Sequence, residues 1–314
     1  MRNCLLKKAE SFSGKSECLS RKAQAKLAFE LKEEGFRLKD IFLVVSIPEA
    51  TYHYHVKNLG KEDPDSEPKE LITQLFKKFH ERYGYKRITK ELKKLGYCVN
   101  HKKVYRLMRE LGLKCVKFMR KSRKYNSYKG KVGKVAKNRL SRRFNTPIPL
   151  QKLVTDITEF KCLGEEKLYL SPILDLYNGE ITSFGINKRP TLDLVMEPLE
   201  ETIEIIKNHA TYRTIIHSDQ GWHYQHNQWV KKLKKNKVFQ SMSRKATCAD
   251  NASMENFFSI LKQEMYYGEK LVSYEDLKRK IEDYIYWYNN IRSKEKLTGL
   301  SPVEYRIQSS QSAA

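Results

Sequence analysis

From Leu168 to Tyr177 the chain is almost continuously apolar: Leu168-Tyr169-Leu170-Ser171-Pro172-Ile173-Leu174-Asp175-Leu176-Tyr177. A stretch of this length and texture reads as a strand buried on both faces, so the fold must cover both sides of its sheet. Further strands are expected at 152–160, 180–188 and 214–219, with a weaker one at 238–243. A long helix is expected over 191–207, with shorter ones over 222–236 and 251–267. Three strands in a meander, then helix, strand, helix, strand and helix, predict an α/β fold: a mixed five-stranded sheet flanked by helices. An amphipathic helix follows over 273–292, carrying Tyr284, Ile285, Trp287 and Tyr288.

The residues before this region read as small all-α domains. Residues 1–59 form an N-terminal helical region: Leu27, Leu31 and Phe36 mark one helix, Leu38, Ile41 and Phe42 a second. Ser46 or Pro48 opens a third. Short helices joined by such turns fit a helix-turn-helix reader. Residues 60–67, rich in Gly, Pro, Asp and Glu, read as a linker. A second helix-turn-helix domain is expected at 68–113: Gly96 ends one helix, Asn100 caps the next, and Val104, Leu107, Met108 and Leu111 form its apolar side. Lys102, Lys103, Arg106 and Arg109 occupy the other faces, a pattern suited to a DNA groove.

Charge narrows the class of partner. Lys and Arg outnumber Asp and Glu by 61 to 37, a net charge of +24, as expected of a protein that neutralises phosphates. The excess concentrates at 114–145, where thirteen basic residues meet no acidic one. This segment, part of a basic linker over 114–150, is expected to track DNA phosphates through Arg120, Lys121, Arg123 and Lys124, with Phe118, Tyr125, Tyr128 and Phe144 available to stack. No run approaches the ~18 apolar residues of a membrane span, and no apolar signal core follows Met1, so a cytoplasmic, nucleoid-associated protein is expected. The six cysteines contain no Cys-x-x-Cys pair, so His53 and His55 do not imply a zinc site.

Three carboxylates carry the chemistry. Asp156 lies in Val154-Thr155-Asp156-Ile157-Thr158, Asp219 in His217-Ser218-Asp219-Gln220-Gly221, and Glu255 in Asn251-Ala252-Ser253-Met254-Glu255. Between them stand 62 and 35 residues. Three carboxylates on separate elements are enough to hold two hard cations, the equipment for cutting and joining phosphodiesters. Asp156 is mid-strand in an apolar setting, where an unpaired charge is costly and a metal relieves it. Asp219 ends its strand, where ligands bind in open α/β sheets. Glu255 opens a helix on which Asn251 and Lys262 share its face, with Lys262 placed to hold a phosphate. His217 is an auxiliary candidate: it either orients a substrate group or Asp219, or is a hydrogen-bonded residue of the fold.

These stretches, together with Tyr288-Asn289-Asn290-Ile291-Arg292 and Leu300-Ser301-Pro302-Val303-Glu304-Tyr305, resemble the integrase core of insertion-sequence family three transposases, in their second-frame (OrfB) product. Arg82-Tyr83-Gly84-Tyr85-Lys86-Arg87-Ile88 and Val99-Asn100-His101-Lys102-Lys103-Val104 resemble the family's second helix-turn-helix. The resemblance implies a ribonuclease-H-like catalytic core, placed at 151–270 with a C-terminal helix and tail at 271–314. It also implies catalytic and metal-binding roles for Asp156, Asp219 and Glu255, and a DNA-holding role for Lys262. The implied cofactor is Mg²⁺, or Mn²⁺, as two ions. Double-stranded DNA is the implied partner, at element ends and target, with a homo-oligomer joining the ends. A first-frame protein is a further implied partner, because no sustained heptads precede residue 67. The alternatives are a non-catalytic regulator that binds DNA and a nuclease that cuts without joining.

Overall fold

The computed structural model describes residues 21–58, 65–115, 135–244 and 247–312. The basic residues Arg120, Lys121, Arg123 and Lys124 lie outside them. The chain divides into two compact units, Met1–Leu71 and Ile72–Ala314. Of the expected linker at 60–67, residues 60–64 also lie outside the described residues.

In the first unit α1 (Arg21–Glu33), α2 (Leu38–Val45) and α3 (Glu49–Lys57) enclose Ala25, Ala28, Leu31, Ile41, Ile47 and Tyr52. Ser46 ends α2 in the left-handed conformation (φ 52°), and Pro48, extended, opens α3. The turn between two helices of this small core is therefore set locally.

The division between the units falls within α4 (Ser66–Lys78), whose buried Ile72, Leu75 and Phe76 belong to the second unit. Next come α5 (Tyr85–Lys94) and α6 (His101–Glu110). The Asn100 side chain accepts the Lys102 N–H at 2.9 Å, capping α6 as its sequence predicts. Val104, Leu107 and Met108 are buried, whereas Leu111, expected with them, sits past the helix end and is exposed.

The sheet comprises β1 (Lys152–Thr155), β2 (Thr158–Lys161), β3 (Lys167–Asp175), β4 (Ile181–Asn187), β5 (Ile215–Ser218) and β6 (Phe239–Met242). The strand expected at 152–160 is thus two. Both halves pair with β3 in one unbroken antiparallel register, Leu153 opposite Asp175 and Thr158 opposite Leu170, which sets Asp156 opposite Pro172. Hydrogen bonds from Leu176 N–H to Lys152 O and from Cys162 N–H to Glu166 O fix which pairs are bonded, and the Asp156–Pro172 pair is one of them. Proline has no N–H to give there, so the ladder breaks at Asp156. With β1 and β2 counted as one broken strand the sheet has the expected five positions: β4, β3, β1/β2, β5 and β6, the last two joined in parallel.

Helices cover both faces. On one side α7 (Asp193–His209) and α9 (Asn227–Lys235) bury Val195, Leu199, Ile203, Trp229 and Leu233 against Leu153, Ile173 and Ile216. On the other, α10 (Ala252–Met265) and α11 (Tyr274–Asn290) bury Met254, Phe257, Leu261, Ile281, Tyr284 and Tyr288 against Val154, Leu168, Leu170 and Leu174. The boundary expected near residue 270 therefore runs through a single hydrophobic cluster, because α11 supplies half of that layer. α8 (Trp222–Gln225) is a single turn after β5, and α12 (Pro302–Ser312) ends the chain's described part. Among the described residues no helix is long and apolar enough to cross a membrane.

Asp175, at the end of β3, is buried and accepts the Leu150 N–H at 2.8 Å and the Tyr177 N–H at 3.0 Å. Burial outweighs these bonds and pushes its carboxyl up to about 6. A raised folded value stabilises the fold below the unfolded pKa, and that contribution fades as pH rises from about 4 through about 6. Denaturant melts across this window are expected to show a fall, of which roughly 3 kcal/mol disappears in Asp175→Asn. An unchanged pH profile in the variant would assign the fall to other groups.

Candidate active site

β1 and β5 are parallel neighbours with Lys152, Leu153 and Val154 level with Ile215, Ile216 and His217. Two steps further, the same register sets Asp156 level with Asp219 on adjacent strands, whose usual spacing is ~4.8 Å. Each carboxylate is turned onto its own backbone: Asp156 Oδ1 accepts the Ile157 N–H at 2.8 Å, and Asp219 Oδ1 accepts the Gly221 N–H at 2.9 Å. A Cβ at Gly221 would lie 2.9 Å from that Asp219 oxygen and would push the carboxylate aside.

Burial leads the electrostatics of all three acids. The Asp156 carboxyl is held well above the usual carboxylate range, first by burial, then by Asp219 and more weakly by Glu255. Asp219 is also raised, by burial, against the opposing Gly221 bond. Glu255 stands exposed in the first turn of α10, raised only by partial burial. Beneath them the buried Tyr224 phenol is pushed up by burial, then by Asp156 and Asp219.

Around the acids, supports converge from distant segments. Asn251 is buried, and its Nδ2 donates to Thr155 O at 3.2 Å, one residue before Asp156. It is therefore a strut of the strand rather than a group on the open face shared with Glu255. Its neighbour Asp250 is fully buried and holds three partners from two segments. Arg244 bonds it at 2.9 Å through both Nε and Nη2, Arg142 Nε at 3.0 Å and Asn138 Nδ2 at 3.0 Å. These bonds, Arg244 foremost, hold its carboxyl below the ordinary range despite burial. They moor the segment before β1, which continues the basic linker, next to the strut that positions Asp156.

The surroundings of His217 are those of a hydrogen-bonded residue of the fold. It is buried, its Nδ1 lies 2.8 Å from Ser241 Oγ and its Nε2 3.1 Å from Ser243 Oγ, and burial pushes it down to about 4. A neutral imidazole bonded to two serines ties β5 to the β6 side and is not directed at Asp219. Lys262 Nζ donates to Thr158 Oγ1 at 2.6 Å and Glu159 O at 3.0 Å, and lies 4.9 Å from the centre of the Phe160 ring. It thus stands on β2, just past the break at Asp156. On α6, Lys102, Arg106 and Arg109 are exposed and Lys103 is half-buried; Arg106 pairs with Glu110 at 3.4 Å.

The donor set is all carboxylate oxygen, which suits Mg²⁺ or Mn²⁺. A carboxyl raised by burial and then by an acidic neighbour also marks a place short of positive charge, in a chain with +24 overall. Among the described residues, no three Asp, Glu, His or Cys side chains already stand gathered as a metal-holding group. Asp156 and Asp219 instead each accept a nearby backbone N–H.

Residues 63–122 match the HTH-like domain family, and residues 146–248 and 255–309 match the integrase core domain family in two parts. The chain is 40% identical over 273 residues to InsK of Escherichia coli (strain K12), described as a transposase for insertion sequence element IS150, covering 87% of this chain and 94% of that protein. It is 46% identical over 213 residues to an uncharacterized transposase-like protein of Haemophilus influenzae, covering 67% and 94%. InsF, the transposase for insertion sequence IS3A of Escherichia coli (strain K12), is 32% identical over 238 residues, covering 75% and 80%.

Proposed function

Since this chain belongs to the insertion-sequence transposases, with an HTH-like domain ahead of an integrase core, we propose that Asp156, Asp219 and Glu255 are its catalytic carboxylates and hold two Mg²⁺ or Mn²⁺ ions. The protein is a polynucleotidyl transferase that binds and transposes DNA. The observation that carries the site reading is the register of β1 on β5, which sets Asp156 level with Asp219 and brings the Asp219 charge to bear on Asp156. When bound, the ions supply Lewis acidity at the scissile phosphate and a water of lowered pKa.

The chain's own groups do the rest. Asn251 holds the strand carrying Asp156, the Gly221 N–H orients Asp219, and the first turn of α10 brings Glu255 to the same edge. Lys262, anchored on β2, adds positive charge for the phosphate backbone entering the site. The exposed Lys102, Arg106 and Arg109 of α6 face a DNA groove, and the basic linker with Arg120, Lys121, Arg123 and Lys124 tracks the phosphates between reader and core. In this reading the chain is an OrfB-type product working in the cytoplasm. It acts as a homo-oligomer, because two element ends have to meet, and a first-frame protein of the same element is a candidate partner.

The test is cleavage and joining of a labelled duplex carrying the element's own end, with Mg²⁺, beside Glu255→Gln. The variant keeps shape and removes one charged ligand. Both products are expected to fall by about 10³-fold, ~4 kcal/mol of transition-state stabilisation. Cleavage without joining by the wild type would make the chain a nuclease. DNA binding without chemistry in either protein would mean that the chain needs its first-frame partner or is a regulator.

A further inference from the structure

Arg87 lies on α5, in the HTH-like block, yet its Nη1 stands 3.6 Å from Oε1 of Glu264 in the last turn of α10. Glu264 is fully buried and already satisfied within the core: Arg292 grips it through Nη2 at 2.7 Å and Nε at 2.9 Å, and the Tyr284 hydroxyl donates to it at 2.7 Å. Arg87 is thus a second guanidinium on one carboxylate, pushed down first by burial and then by Arg292. Neutralising Glu264 does not require it.

A second contact stands beside the first. The buried Tyr83 ring lies 5.2 Å from the Arg87 guanidinium and stacks on Phe79 at 4.1 Å, while its hydroxyl accepts the Ser293 N–H at 3.0 Å. Arg82 lies over Trp287 of α11 at 5.0 Å. Buried bonds of this kind are directional, so they fix an orientation where apolar contact alone leaves latitude.

We propose that Arg87 and Tyr83 form a ruler: they lock the HTH-like block to one end of α10, whose other end carries Glu255, and so set the distance between the DNA sequence read and the phosphodiester cut. Glu255 and Glu264 are nine residues apart on that helix, ~14 Å along its axis. The proposal rests on the reading of α6 as the DNA-contacting helix and Glu255 as catalytic. Arg87 and Tyr83 act through position and touch no reacting atom.

The double variant Arg87→Gln/Tyr83→Phe leaves Glu264 paired with Arg292 and Tyr284, so the core keeps its buried ion pair. Two measurements decide. In hydrogen exchange, peptides containing Ser293 and α5 are expected to exchange at least tenfold faster, with β3 and α10 unchanged. On end duplexes with a few base pairs inserted between the inner recognised sequence and the end, the wild type is expected to cut at a fixed distance from the inner sequence. The variant is expected to spread its cuts over several neighbouring phosphodiesters, with end binding weakened no more than about threefold. Unchanged exchange in the variant, or cuts at the wild-type single position, overturns the ruler. A wild type that binds but never cuts overturns the catalytic reading instead, and exchange still decides whether the block is locked.

Discussion

Asp156→Asn is expected to abolish strand cleavage and, at the same time, to raise the melting temperature of the metal-free protein. The first effect follows from removing a charged ligand at the point where two strands present their acids together; a loss of 10³-fold or more, ~4 kcal/mol, is expected. The second follows from the Asp156 carboxyl being held well above its usual range by burial and by Asp219. A group so raised destabilises the fold at neutral pH, because its charged form is harder to carry folded than unfolded. Asparagine keeps the shape and the acceptor for the Ile157 N–H while dropping the charge. Each kcal/mol gained corresponds to ~2–4 °C for a unit of this size. Mg²⁺ provides the cross-check: at a hundredfold excess over Kd it stabilises a binding-competent fold by ~2.7 kcal/mol, and the variant should lose most of that gain. Equal Mg²⁺ shifts in both proteins would remove Asp156 from the metal site.

Glu264→Ala carries the largest expected cost to stability, about 3–5 kcal/mol in denaturant melts. The reason is what remains: Arg292, only 4% exposed, would keep its charge with no carboxylate to meet it. Tyr284 would lose its acceptor as well. The double variant Glu264→Ala/Arg292→Met should recover part of the loss, since apolar side chains replace a buried pair at little cost. A single variant that loses less than ~1 kcal/mol would show that solvent reaches Arg292 freely.

Much of this was legible in the sequence, for identifiable reasons. The double-faced burial of β3 and the placement of Asp219 and Glu255 at element ends are local signals, so a linear pattern carries them. The break at Asp156 was not legible, because alternation along one strand is blind to the proline across from it. The role of Asp250 was not legible either, because two of its three partners, Arg142 and Asn138, lie more than 100 residues before it. A buried acid among scattered arginines looks the same in sequence as a solvated one. That α11 packs in one cluster with α10 was not legible, because an amphipathic helix announces that it has a partner without saying which. The two serines that bond His217 were not legible either, because they lie 24 and 26 residues further along the chain.

The missing rung opposite Pro172 bears on how this site responds to a cation. A carboxylate on an intact ladder can turn toward an ion only about its own side-chain bonds. Here the acid sits between two short paired segments, so small rotations at Asp156 and Ile157 can turn it without disturbing either. The compliance of the site is therefore set from across the sheet, by a residue with no part in the chemistry. Evolution can adjust how readily the acid swings by editing that opposite strand, while leaving the acid alone.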